Sequence, residues 1–366
     1  MNYLNLISKT LTITLHPQAR AEVEGQISQP GFDWDNYIRL ASDHFVVLSL
    51  YCRLRDAGLL RYMSAGLADH LRQLWQMNID RNSEILRQAQ RINHLLAGAG
   101  ITPIYLKGVA NLMDGLYPDP GERIVGDIDF LVPPHQYEQA AALLLEDGYY
   151  AYDENHAKPE PLTKHYPRLT HRTEIADVEV HFATVDPQYR HLFTYEMLAP
   201  RVQHPDGYSH CLTLHDTDKM TLAYMHVHLN DRGYITRSHL MRPLFDSLLI
   251  ARRIDVAAWL CTAPLQQRAM HYSGLLAHLF GGAYPADIPR AARRFLFQYR
   301  FRQRYPRLSV VYSGLRQTLA RMFYCYFLLF IYSIYKPHYR QLLFARLSNP
   351  RALLREHFRW YLRYWR

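Results

Sequence analysis

The chain has 366 residues, 49% of them hydrophobic and only 20% charged, which provides for a real core and excludes disorder as its main state. That length suits two packed domains, with one large core as the alternative. A formal net charge of +9, carried mostly by arginine, suits a phosphate-bearing or anionic-lipid partner better than an acidic small molecule alone.

The first elements are helical. From Trp34 to about Gly100 apolar residues recur at three-to-four spacing, as in Leu71, Leu74 and Trp75, then Ile85, Ile92 and Leu96, with Gly58, Gly66 and Gly98 as punctuation. The short apolar run 101–106 then predicts a strand, Lys107-Gly108 a turn, and 109–116 a helix that ends before Tyr117-Pro118. Alternation of Ile128, Phe130 and Val132 with polar or opposite-facing neighbours predicts a strand with Asp127 and Asp129 on one face. Residues 135–146 read as an amphipathic helix and 149–152 as the start of a strand. Val178, Val180 and Phe182 alternate with Asp177, Glu179 and His181, a second strand with its polar groups on one side. Beyond Pro187 the helical candidates are 215–229, 243–252, 256–260 and 265–280.

The expected fold class is α+β, a small mixed β-sheet core embedded in a largely helical protein. The expected divisions are an N-terminal helical region over 1–100, the sheet-bearing core over 101–200, a helical domain over 201–310 and an aromatic, arginine-rich amphipathic tail over 311–366.

Two aspartates two apart on a strand project their carboxylates the same way, and Glu179 on a second strand supplies a third oxygen. Divalent ions such as magnesium prefer oxygen ligands, so such a convergence is what a metal-assisted phosphoryl-group transfer needs. Asp177 shares the face of Glu179 and is its main rival as third ligand; Glu179 is preferred for its apolar neighbours. His181 is placed to touch substrate or orient a carboxylate. A helix start after Lys107-Gly108, with Lys107 and Arg123 adding positive charge, suits phosphate. His226 and His228 lie two apart on a helix and point to nearly opposite sides, which argues against a shared zinc ion.

Taken together, Leu106-Lys107-Gly108, Leu116-Tyr117, Arg123, the run 127–132 (DIDFLV) and Val178-Glu179-Val180-His181-Phe182 resemble the uncharacterised bacterial nucleotidyltransferase family of the polymerase-beta-like superfamily, over about 34–259. The resemblance implies a two-metal transfer of a nucleoside monophosphate from a nucleoside triphosphate (NTP) to an acceptor. It implies Mg2+ or Mn2+ on Asp127, Asp129 and Glu179, and Lys107, Gly108, Arg123 and Lys219 around the nucleotide. The wider superfamily carries Gly-Ser where this chain has Lys107-Gly108-Val109, so a hydroxyl contact to phosphate is missing here. The acceptor stays open among a small molecule, a peptide, a glycan precursor and tRNA. The alternative is a catalytically silent adaptor of the same fold that binds membrane or RNA. A zinc hydrolase has no HExxH or comparable ligand motif to support it.

The four cysteines form no CxxC pair, and residues 1–16 lack a basic region and a cleavage site, so the chain reads as cytoplasmic and not secreted. The apolar run 322–335 is too short to cross a bilayer. After Asn349-Pro350, Arg351, Arg355, Arg359 and Arg363 recur every four residues among aromatic side chains, a pattern suited to peripheral contact with an anionic membrane on its inner face.

Overall fold

A computed structural model describes residues 2–151, 163–208 and 210–305, with scattered positions between 308 and 348. In chain order its helices are α1 (Tyr3–Leu11), α2 (Pro17–Ile27), α3 (Trp34–Asp43), α4 (Val47–Asp56), α5 (Ala65–Gly98), α6 (Lys107–Met113), α7 (Tyr137–Glu146), α8 (Tyr195–Leu198), α9 (Asp216–Tyr224), α10 (Gly233–Thr236), α11 (Met241–Ala251), α12 (Val256–Thr262), α13 (Gln266–Phe280) and α14 (Arg293–Arg304). The strands are β1 (Ile104–Tyr105), β2 (Asp127–Leu131), β3 (Tyr150–Ala151), β4 (Leu169–Thr170), β5 (Asp177–His181), β6 (Val202–Gln203) and β7 (Leu212–Leu214). They form one mixed sheet in the order β3-β4-β5-β2-β1-β7-β6, so the architecture is α+β as expected.

Alternation decides what each face of the sheet carries. Ile128 and Phe130 of β2 and Val178 and Val180 of β5 are buried against Ile85, Ala89, Ile92 and Leu96 of α5 and Ala140 and Leu144 of α7. With period 2, the opposite face of the same two strands then receives Asp127, Asp129, Asp177, Glu179 and His181. β2 and β5 run parallel in a register that sets Asp127 beside Asp177, Asp129 beside Glu179 and Leu131 beside His181.

The 34-residue helix α5 also shapes the loop that leads into β2. Asn78 Nδ2 donates to the carbonyls of Gly121 and Arg123 (3.0 and 3.1 Å), and Asn82 Nδ2 to those of Pro120 and Arg123 (2.7 and 2.8 Å). Trp75 Nε1 donates to Asp119 Oδ1 at 2.8 Å. These donors satisfy loop carbonyls that no ladder serves, which is what lets an irregular segment be buried. Glycine at 121 permits this close approach, because a Cβ would stand 2.5 Å from the Trp75 ring and force a shift.

The chain divides into two compact units, Met1–Asp231 with His239–Ala292, and Arg232–Ser238 with Arg293–Arg366. In the second, Arg232 and Arg237 flank α10 in the left-handed region, and Arg237 lies over the Phe295 ring at 4.7 Å. Of the apolar run 322–335, Phe323, Phe327 and 329–335 are described and helical; the arginine helix expected after Asn349-Pro350 lies outside the described residues. No described helix is long and apolar enough to cross a membrane.

Replacing Gly121 with Ala forces the added methyl into Trp75, and overpacking of this kind costs about 1–3 kcal/mol. Urea denaturation of Gly121→Ala should show that loss, and a midpoint equal to that of the parent would contradict the close approach.

Candidate active site

Asp129 lies in the middle of β2 and is 1% exposed. A carboxylate this deep needs compensating partners, and it has two. His181 Nε2 is 2.8 Å from Asp129 Oδ1, and the Lys107 ammonium pairs with the same oxygen. Burial pushes the Asp129 carboxyl up, but Lys107 and His181 outweigh it and hold the group well below the usual carboxylate range. Glu179, 8% exposed, stands beside it with Oε2 3.4 Å from His181 Nε2 and 3.9 Å from Lys107 Nζ. Burial again raises its pKa, while the His181 contact and the Lys107 charge bring it down to about 2.

Lys107 reaches these groups through its backbone. It opens α6 with φ of 52°, a left-handed conformation that costs a non-glycine residue about 1–2 kcal/mol. The sequence points to Gly108 as the conformationally special residue of this turn. In the structure Gly108 serves a different purpose. Its Cβ would meet both Val125 methyls at 3.3 Å, so the glycine permits close packing and the positive φ falls on the lysine.

Arg168, just before β4, closes the outer side. Its Nη2 lies 2.7 Å from Glu179 Oε1 and 3.1 Å from Asp127 Oδ2, and its Nη1 is 3.7 Å from Asp177 Oδ2. His165 forms a β-bridge with His181, and its Nε2 is 4.0 Å from Glu179. Neither Arg168 nor His165 carries a sequence signal, since both sit on irregular backbone with no alternation to read. Asp127 is less enclosed; burial and the neighbouring Asp129 charge raise its pKa despite Lys107 and Arg168.

Asp129, Glu179 and His181 each offer one ligand atom, and these atoms lie within 4.8 Å of one another. Asp127 and Asp177 border the group through Arg168. Two carboxylate oxygens and an imidazole nitrogen from adjacent strands form a donor set that fits a divalent cation.

A cavity of about 140 Å³ opens beside this cluster. Lys107, Gly108, Arg123, Asp127, Lys219 and His226 are all in its wall. Arg123 and Lys219 are nonetheless engaged by protein groups. Arg123, 5% exposed, donates Nε and Nη2 to Asp246 at 2.8 Å each, and Nη1 to the Ile124 carbonyl; Tyr117 adds its hydroxyl to Asp246. Lys219 Nζ lies 2.5 Å from Asp114 and 2.9 Å from Asp216. His226 sits on a π-helical turn, Met225–Asn230, that extends α9, with Nδ1 3.4 Å from Asp231. Burial, then the Lys107 and Lys164 charges, hold its pKa well below the usual histidine range. His228 points elsewhere, with Nδ1 3.1 Å from His239 Nε2, so the two histidines serve different places, as their spacing predicts.

The model of a protein family described as "Uncharacterised nucleotidyltransferase" matches residues 30–280, well over half of the chain. No curated protein and no solved structure matches the chain.

Removing one partner of a fully buried ion pair strands the other charge, at about 3–5 kcal/mol. Asp246→Ala should lose stability of that order in denaturant titration, whereas Asp69→Ala, on the exposed pair with Arg72, should lose less than about 1 kcal/mol. Equal small losses would show that Arg123 does not depend on Asp246. The depressed Glu179 pKa has a definite sign: its ionised form stabilises the fold above the ordinary value of 4.5, and that contribution disappears as pH falls towards about 2. In chelator-treated protein Glu179→Gln should therefore flatten the loss of stability across that window, and an unchanged slope would remove the assignment.

Proposed function

Because the chain belongs to the Uncharacterised nucleotidyltransferase family, we propose that it moves a nucleoside monophosphate from an NTP to an acceptor at the Asp129, Glu179 and His181 cluster, releasing pyrophosphate. The observation that carries this reading is the parallel register of β2 with β5, which brings those three ligand atoms within 4.8 Å. In the reaction the acceptor oxygen bonds to the α-phosphorus, the bond from that phosphorus to the α,β-bridging oxygen breaks, and the electron pair leaves with pyrophosphate. The acceptor proton passes to a carboxylate, for which Glu179 is the candidate.

Charge supports a divalent ion here. Four carboxylates (Asp127, Asp129, Asp177 and Glu179) face two directly paired permanent cations, Lys107 and Arg168, and the remaining negative charge is what such an ion offsets. Oxygen donors suit Mg2+, and the imidazole of His181 also admits Mn2+. When bound, the ion would neutralise the polyphosphate and favour ionisation of the acceptor hydroxyl. In the two-ion form of this reading Asp127, Asp129 and Glu179 would be the residues that hold the ions. Lys107 and Gly108 line the cavity together with Asp127 of the carboxylate face, which supports their expected place near the phosphates. Arg123 and Lys219 act through their carboxylates, fixing the wall that the nucleotide meets.

One observation favours the rival reading of a catalytically silent adaptor. Lys107 and Arg168 already partner the carboxylates, so the cluster is held together without an ion. The readings separate on ligand response: an enzyme is protected against heat by one nucleotide only with Mg2+ or Mn2+, and an adaptor is not. For catalysis itself, each labelled NTP is incubated with the protein and a cell extract supplying the acceptor. Asp129→Asn should lower label transfer by about a hundredfold or more, since electrostatic groups of this kind carry factors of that size. Glu179→Gln, at a less buried position, gives a second variant should the first fold poorly. Transfer at the parent rate by both variants would eliminate the assignment.

A further inference from the structure

Four permanent cations line the cavity beside the carboxylates: Lys107, Arg123, Lys219 and Arg242. Three of them face protein carboxylates, Lys107 on Asp129, Arg123 on Asp246, and Lys219 on Asp114 and Asp216. Arg242 differs. Among the described residues no carboxylate oxygen lies within ion-pair distance of its guanidinium; Nη1 makes one long hydrogen bond, 3.3 Å, to the Ile124 carbonyl, and the buried Nε has no hydrogen-bond partner.

The side chain is nevertheless held in place. At the start of α11, Met241 N donates to His44 Nδ1 and Arg242 N to the His44 carbonyl, each at 3.2 Å, and the guanidinium lies over the Phe45 ring, 4.9 Å from its centroid. Burial, and then the neighbouring Arg123 charge, lower its pKa, and the Asp246 and Asp127 carboxylates, beyond ion-pair distance, only partly offset them. A guanidinium fixed on an aromatic face keeps its forked edge for a planar or tetrahedral oxyanion. The cavity wall also holds Asp127, Asp231 and Asp246, and its apolar stretches, with Leu222, Val227, Leu240 and Ile250, suit the uncharged body of a ligand whose anionic end meets the arginine.

We propose that Arg242 is the anion-binding residue of this cavity and takes a phosphoryl group of the nucleotide's polyphosphate. The source of the phosphoryl group rests on the nucleotidyltransferase reading; the anion site itself does not. The full chain, Arg242→Gln, Arg242→Lys and the control Arg39→Gln are titrated calorimetrically with inorganic tripolyphosphate and, with Mg2+, with the nucleoside triphosphate that best protects the parent. Loss of a charge-assisted pair predicts about tenfold or greater weakening of both ligands in Arg242→Gln, with partial recovery in Arg242→Lys and no change in the control. Tripolyphosphate binding that depends on Arg242 in a protein that transfers no nucleotide would support the anion site and sink the enzymatic reading alone. If the parent binds the triphosphate in an Asp129-dependent way and Arg242→Gln binds it equally well, the arginine assignment is overturned and the enzyme stands. A parent chain that binds neither ligand overturns both.

Discussion

A buried carboxylate cannot stay ionised without positive charge beside it, and the position of Asp129 imposes that demand on everything around it. Period-2 alternation on β2 buries Ile128 and Phe130 on the α5 side and so forces Asp129 onto the other face at 1% exposure. The parallel partner β5 adds Glu179 in register and concentrates negative charge further. The fold answers with Lys107, held in a left-handed conformation, with Arg168 from the approach to β4, and with His181 two residues along from Glu179. The backbone strain at Lys107 fits this view, because charge compensation at Asp129 is large enough to hold a lysine in a conformation that the isolated residue avoids.

A second buried pair does for the helical part what this cluster does for the sheet. Arg123 comes from the loop that α5 pins through Asn78 and Asn82, and Asp246 comes from α11. Their two 2.8 Å hydrogen bonds, with Tyr117 as a third partner, tie the entrance of β2 to α11 across the cavity wall. The carboxylate face and the cavity are therefore fixed relative to each other by an interaction that itself needs no ligand. Arg123, whose proximity to the aspartates in sequence suggests a phosphate contact, is thus engaged by Asp246 while still lining the cavity.

The regular parts of this arrangement are legible in the sequence. Ile128, Phe130 and Val132, and Val178, Val180 and Phe182, report their strands because one face is buried over several residues. The helices from Trp34 onward show the 3.6-residue period for the same reason. Strands β1, β3, β4 and β6 have two residues each, too few for any period to register. Partners distant along the chain leave no trace either: nothing near Arg123 or Lys219 announces Asp246 or Asp114, and a cation read without its counter-ion looks available for phosphate. Arg168 and Arg242 are invisible for the complementary reason, since each acquires its meaning only from what the fold brings opposite it.

Counter-ion accounting therefore separates structural from ligand-directed charge better than proximity to a motif does. Lysines and arginines near phosphate sites are conspicuous in sequence, yet a buried cation already satisfied by carboxylates gains little from a second anion and loses its first on exchanging it. By that criterion Arg123, on Asp246, and Lys219, on Asp114 and Asp216, are cations already matched by the protein. Lys107 and Arg168 form an intermediate class, because their partners are the same carboxylates that a divalent ion would occupy under the proposed function, and an ion there would free their charge for phosphate. On the proposed function the nucleotide and the ion would then assist each other's binding: the ion would offset the negative charge that Lys107 and Arg168 leave on the four carboxylates, and the phosphates would take up the cations that the ion displaces.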